Sequence, residues 1–243
     1  MGNHINVSWT HYLREQECEF LKALISGRRV LEIGSGDGHA ALLMKSYAAK
    51  VVATDIAPRH PMVSDVFQIK DMADYEELIE LHQIDTIVSF HVVEHVKNLP
   101  AFLDQFQING KRLCHFHIVP TNRAVILNFV FQPAAYVRSL ALLFNGYYLR
   151  YARDRNANFF KLIVKRLNPL RIFWPSRHGE YTAADALIFW RKIHWIKHIG
   201  EEISYEHIAL AYSFHKLFPF QFLPLRKIIG RCLSSSALIS FTK

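Results

Sequence analysis

The 243-residue chain reads as an α/β fold assembled from parallel βαβ units. Two observations predict this. Through the first half, short β-type runs alternate with helical stretches. The first of these runs ends in a glycine-dense turn and the second ends in a carboxylate, which places a ligand site at the carboxyl edge of an open sheet.

The elements follow in order. Residues 8–26 space Trp9, Tyr12, Leu13, Phe20, Leu21, Leu24 and Ile25 as the apolar face of an amphipathic helix. Arg29 to Ile33 is a first strand, His39 to Ala49 reads as helical, and Lys50 to Thr54 is a second strand. A short third strand spans Val66 to Ile69, followed by a helix from about Tyr75 to His82. Ile84 to Phe90 is the fourth strand and Arg112 to Val119 the fifth. After Pro120 the rhythm breaks. Residues 121–175 are long, aromatic and basic, with apolar runs at Ala124–Phe131 and Ser139–Phe144. Asn128, Gln132, Pro133 and Arg138 interrupt them, whereas a membrane span needs about 20 consecutive apolar residues. An α-helical insertion at about 120–182, packed over an active site, is the expectation. Alternation then resumes with a helix at Ala183–Ile199, a strand at Ile203–Ala211 and a last strand at Ser236–Phe241.

Composition narrows the class. Apolar residues are 51% of the chain, enough for a substantial core and incompatible with global disorder. Cys18, Cys114 and Cys232 lie far apart with no CxxC, so no disulfide framework is expected and a reducing, cytoplasmic compartment is. The first residues carry no basic-then-apolar signal pattern, and Asn6 stands where a myristoylation signal wants Ser or Thr. Charge is uneven. Residues 1–119 hold 11 Lys/Arg against 15 Asp/Glu, and residues 120–243 hold 18 against 6. The basic half suggests an anionic partner, or else a solvated basic surface.

The strongest chemical signal is Val30-Leu31-Glu32-Ile33-Gly34-Ser35-Gly36-Asp37-Gly38. A strand followed by glycines lets a ligand approach the backbone, and the next helix offers its N-terminal amides. The dinucleotide fingerprint is GxGxxG. Here the third glycine comes one position early and His39 occupies the fingerprint position. Glu32 would sit poorly beside a pyrophosphate but suits a cofactor bearing a sulfonium and an amino group. Asp55, about 20 residues on, can accept hydrogen bonds from both hydroxyls of a ribose; its alternative is an Asx turn before Pro58.

With these residues in view, the segment resembles motif I of the class I S-adenosylmethionine (SAM)-dependent methyltransferases, of the type 11/12/23 kind. Thr54-Asp55 is similar to their second acidic motif, Asp71-Met72 to the adenine-contacting position, and Ile84–Phe90 with His91-Val92-Val93-Glu94-His95 to their fourth strand and its sequel. The resemblance covers residues 8–119. It implies a Rossmann-like, seven-stranded, mostly parallel sheet with helices on both faces. It also implies SAM as cofactor, held by Glu32, Gly34, Ser35, Gly36 and Gly38 at the methionine end, Asp55 and Ile56 at the ribose, Asp71 and Met72 at the adenine, and His91 nearby.

His91 to His95 also matches the zinc-peptidase pattern HxxEH, which needs a helix and two histidines facing one metal. Some methyltransferases carry ExxEH here and bind a divalent cation. In this sequence His91 replaces the first Glu, and harder ions prefer oxygen ligands, so no metal is assigned. For a hydroxyl acceptor a base is needed, and histidine titrates in the useful range. His95 and His178 are the candidates, with His91 and His117 also near the expected site; His115 or His117 would be further ligands if a metal were bound. The block His178-Gly179-Glu180 followed by Phe189-Trp190 and Trp195 resembles, more loosely, bacterial methyltransferases of polysaccharide and lipid-linked glycan synthesis.

Tyr147-Tyr148-Leu149-Arg150-Tyr151-Ala152-Arg153 could stack bases, bind a glycolipid, lie along lipid headgroups or form a lid. No recognisable RNA-binding module supports nucleic acid. The expectation is therefore one domain over residues 1–243 that methylates a small-molecule or glycan-type acceptor, at oxygen. It would be cytoplasmic, with peripheral contact to an anionic membrane as an option. RNA methylation and a non-catalytic SAM-binding scaffold are the alternatives.

Overall fold

The computed structural model describes residues 9–58, 66–71, 73–108, 110–154, 158–167, 187, 190–200, 202–209, 228, 230 and 234–243. The chain divides into two compact units.

The first unit, residues 1–120, 192–208 and 236–243, holds the sheet. Its elements are α1 (Trp9–Ile25), β1 (Arg29–Ile33), α2 (His39–Met44), β2 (Lys50–Asp55), β3 (Val66–Gln68), α3 (Ala73–Leu81), β4 (Thr86–Phe90), a 3-10 turn (Val93–His95), α4 (Leu99–Asp104) and β5 (Cys114–Pro120). Strand order is β3-β2-β1-β4-β5-β7-β6, where β6 is Ser204–Ile208 and β7 is Ser236–Thr242. β7 is antiparallel to both neighbours; the other pairs are parallel. This is the Rossmann-like, seven-stranded, mostly parallel sheet expected.

The sequence places β1 at the centre for a physical reason. Strands buried on both faces read as continuous apolar runs, not alternating ones. Val30, Leu31 and Ile33 are all buried, flanked by β2 on one side and β4 on the other. One core cluster joins Leu31, Ile33, Val52 and Ile87 to Tyr75 and Ile79 of α3 and to Phe106. Tyr75 and Phe102 both set ring edges against Phe106, at 5.4 and 5.2 Å between centroids. α1 packs on α2.

Three elements differ from expectation. The helix after the glycine turn ends at Met44, and residues 45–49 are turns whose Ala49 N–H bonds the Arg28 carbonyl. Of the helix expected from Ala183 to Ile199, α8 runs over Lys192–Ile199, Trp190 and Arg191 are a turn and a bend, and residues 183–186, 188 and 189 lie outside the described residues. The buried Trp190 gives its carbonyl to the Asn122 N–H, which removes that carbonyl from a helical ladder. The sixth strand, β6, stops at Ile208.

The second unit comprises residues 121–191 and 209–235. It carries α5 (Asn122–Phe144), α6 (Tyr147–Asp154) and α7 (Phe159–Leu167), which pack on one another. Thr121 enters α5 in extended conformation, its hydroxyl donating to the Ser234 carbonyl at 2.6 Å. α5 runs unbroken through Pro133. Among the described residues no helix is long and apolar enough to cross a membrane.

Candidate active site

At the carboxyl end of β1 the backbone turns through three glycines of positive φ: Gly34 at 70°, Gly36 at 59° and Gly38 at 77°. At Gly34 a side chain fails twice. The left-handed conformation disfavours L residues, and a Cβ would run into the Val92 side chain. The turn is tied to β2. The Ser35 N–H bonds the Thr54 carbonyl at 2.9 Å, the Gly36 N–H donates to Asp55 Oδ2 at 2.7 Å, and the Thr54 hydroxyl donates to the Glu32 carbonyl at 2.6 Å.

Arg14, Glu32, Gly34, Ser35, Gly36, Asp37, His39, Ala40 and Phe90 line a cavity of about 180 Å³ at this turn. Glu32 is its buried carboxyl group. Burial pushes its carboxyl up to about 8, with Asp37 and Asp55 adding to the rise against Arg14 and the Ala41 amide. Its Oε2 has no hydrogen-bond partner among the described residues, and neither has the buried Ser35 hydroxyl. A buried carboxylate oxygen without a donor fits a ligand that brings an ammonium group. Arg14 stands in the same cavity with its guanidinium 4.5 Å over the Phe90 ring. The pair therefore fits a zwitterionic amino-acid moiety, as SAM carries.

Other sequence candidates are placed as follows. Asp55 Oδ1 also accepts the Ala57 N–H at 2.7 Å, so this carboxylate braces the turn as well as ending β2. Ile56 beside it is 75% exposed, an apolar side chain available to a flat ring. Asp71 Oδ1 accepts the Ala73 and Asp74 N–H groups while Asp74 Oδ2 accepts the Asp71 N–H, a reciprocal cap at the start of α3. Met72 and His178 lie outside the described residues.

His91 was expected among the cofactor contacts, and its surroundings are these. It adopts φ 57° and is not part of the cavity lining. Its Nε2 meets Glu17 Oε1 at 2.8 Å, and its Nδ1 lies 3.6 Å from Glu94 Oε1. Two carboxylates facing one ring explain this. Burial pushes the imidazole down, but the Glu17 charge and hydrogen bond, then Glu94, raise it to about 9. Glu17 is held below the usual carboxylate range, because His91 and Arg14 outweigh the burial penalty. Arg14 bonds Glu17 at 2.7 Å, so one buried network joins the cavity wall to the turn after β4.

Glu94 is buried, and neither of its oxygens makes a hydrogen bond among the described residues. His95 Nε2 lies 3.9 Å from Glu94 Oε1, its side chain 39% exposed. His95 ends the 3-10 turn of Val93–His95 and His91 lies before it, so the two do not share the helix a zinc peptidase requires. Among the described residues no three His, Cys, Asp or Glu side chains form a metal-ligand set. His115 and His117 lie buried within β5. Burial pushes His115 down to about 4 and holds His117 well below the ordinary range. His115 stacks on Phe241 at 4.6 Å, so these rings are neutral packing groups.

Sequence reasoning missed Arg14 and Glu17. The signal was present: Glu17 shares the helical stripe of Leu13, Leu21 and Leu24, and a carboxylate on an apolar stripe needs a buried partner.

Residues 9–112 match the family model described as methyltransferase domain. Among solved structures the chain is similar to a SAM-dependent methyltransferase from Archaeoglobus fulgidus, 14% identical over 96% of this chain and 94% of that one, with a TM-score of 0.48. It is also similar to the plantazolicin methyltransferase BamL, solved with a triazolic desmethylPZN analog and SAH (11% identity, 98% of this chain, 85% of that chain, TM-score 0.46). A third is the methyltransferase domain of bacterial-CtHen1-CN (12%, 97%, 100%, TM-score 0.47). No curated protein matches the chain. The matched segment runs from α1 through α4 and carries the glycine turn. The chain thus holds a methyltransferase domain.

Proposed function

We propose that the chain methylates an oxygen of a small-molecule or glycan-type acceptor, with His95 as the base. The carrying observation is the pairing of a partly exposed His95 with the buried Glu94 carboxylate beneath it. An imidazole backed by a buried carboxylate takes up a hydroxyl proton and is stabilised as the imidazolium. Nitrogen and sulfur acceptors have less need of such a pair.

SAM supplies an activated methyl sulfonium, and the protein's work is to hold and align. In this reading Glu32 takes the ammonium, Arg14 the carboxylate and Ser35, Gly36 and Gly38 the adjoining backbone contacts. Asp55 and Ile56 take the ribose side, and Asp71 with Met72 the adenine. His91 acts from behind: clamped by Glu17, it fixes the turn that carries Glu94 and His95. His178 is the second candidate base, supported by the looser resemblance to glycan-pathway enzymes. That resemblance also favours a lipid-linked glycan, which would bring the enzyme to the inner face of a membrane.

The test is transfer of labelled methyl from SAM to hydroxylated glycan precursors, free and lipid-linked, compared with polynucleotides. Label should appear as a methyl ether. His95→Ala should lower kcat about 100-fold or more while leaving the Kd for SAM unchanged. Methylation at nitrogen, label on polynucleotide, or an unaffected His95→Ala would each overturn the proposal.

A further inference from the structure

α5 has 23 residues and no carboxylate. Ile126, Val130, Pro133, Val137, Ala141 and Phe144 recur along it at steps of four, three, four, four and three, and all six are exposed. Such steps hold side chains on one helical stripe. From Ile126 to Phe144 that stripe runs about 27 Å at 1.5 Å per residue. Val130 is 60% exposed, Val137 64% and Phe144 86%, so bulky apolar groups face outward along its length. The opposite face of the first turns, with Ala124, Val125 and Leu127, is buried.

The same unit carries the chain's positive charge. Residues 121–191 and 209–235 contain 15 Lys/Arg against 3 Asp/Glu, a net of +12, whereas the sheet unit nets −4. On α6 and α7, exposed Arg150, Arg153 and Lys161 stand among exposed Leu149, Phe160 and Val164.

An exposed apolar stripe alone would also suit a second copy of the chain. A symmetric pairing, however, sets the same surface against itself, and two units of +12 repel. An anionic bilayer satisfies both features, taking the apolar stripe into its acyl boundary and the arginines and lysine at its headgroups. We propose that the helical unit docks on an anionic lipid surface, with α5 lying in the headgroup plane and the Ile126–Phe144 stripe toward the acyl chains. The inference rests on the lipid-linked acceptor for its setting only. The two fail separately, because flotation reads the surface and methyl transfer to a free glycan reads the acceptor.

The experiment is flotation of the full chain with phosphatidylcholine vesicles, with and without one third phosphatidylglycerol. The protein should float with the anionic vesicles and remain below the neutral ones. Each basic residue near such a surface strengthens binding about fivefold, so reversing Arg150, Arg153 and Lys161 to Glu should weaken it at least 100-fold. Val130→Glu with Val137→Glu should abolish flotation, with unchanged SAM affinity certifying the fold. Phe144→Trp provides a milder probe, whose added fluorescence brominated lipid should quench. A wild-type protein that stays below the anionic vesicles overturns the proposal. So does a stripe variant that floats normally, or an unquenched Trp. A lipid-free dimer that Val130→Glu dissociates would assign the stripe to a second copy instead.

Discussion

Glu32 offers the sharpest test of the cofactor site. With its carboxyl raised to about 8 by burial, only about one-tenth of it is ionised at pH 7 in the ligand-free protein. An ammonium group placed against it would restore the ionised form, so binding must expel that proton. The ligand's own amino group, with a pKa near 7.8, takes up about 0.1 proton at pH 7, leaving a net release of about 0.8 per SAM bound. Calorimetry in two buffers of different ionisation enthalpy reads this number directly. The affinity should rise about sixfold per unit at pH 7, approaching tenfold per unit at lower pH, crest near pH 8, and fall above it as the amine deprotonates. Glu32→Gln should release no proton, lose the acid-side slope, and bind SAM about tenfold more weakly at pH 8. Stability moves the other way. A carboxyl raised from 4.5 to about 8 favours the folded state fully below pH 4.5, and that advantage is lost as pH climbs toward 8. At pH 7 the loss is about 3 kcal/mol, so ligand-free Glu32→Gln should melt higher than wild type, with a larger gain at pH 8 than at pH 5. Equal heats of binding in both buffers, or a Gln variant indistinguishable from wild type, would refute the reasoning.

Three further outcomes follow from the same network. Gly34→Ala should cost about 1–3 kcal/mol in thermal unfolding and remove SAM binding, since its Cβ meets Val92 at a positive φ. Glu17→Gln strips the buried counter-charge from Arg14 and His91 and should destabilise by about 3 kcal/mol or more. In an NMR titration of that variant, His91 should fall from about 9. Because its raised pKa stabilises fully below 6.5 and fades as pH passes 9, the gap between wild type and variant should narrow across that window. Asp55→Asn turns an amide N–H₂ toward either the Gly36 or the Ala57 N–H, and should weaken SAM about tenfold in calorimetry.

The sheet was legible because each of its signals is local. Val30 to Ile33 and Thr86 to Phe90 are short, mostly apolar runs that a doubly covered strand buries throughout, and glycine at 34, 36 and 38 fits positions of positive φ. The carboxylate at the end of β2 was equally legible, since parallel neighbours ending at one edge bring Asp55 to the Gly36 amide 19 residues away. The helix boundaries were not. The turn at Trp190 depends on Asn122, a partner that no window around residue 190 contains.

The sequence by itself therefore determined the fold class, the glycine turn and the cofactor's side of the sheet, because backbone conformation and burial pattern are written in neighbouring residues. Only the tertiary structure decided the chemistry behind that turn. Glu17 meets His91 across 74 residues and Ser236 across 219. Whether a carboxylate is ionised, a histidine charged or an imidazole inert in the core is set by what the fold brings within a few ångströms, where Coulomb energy and desolvation compete.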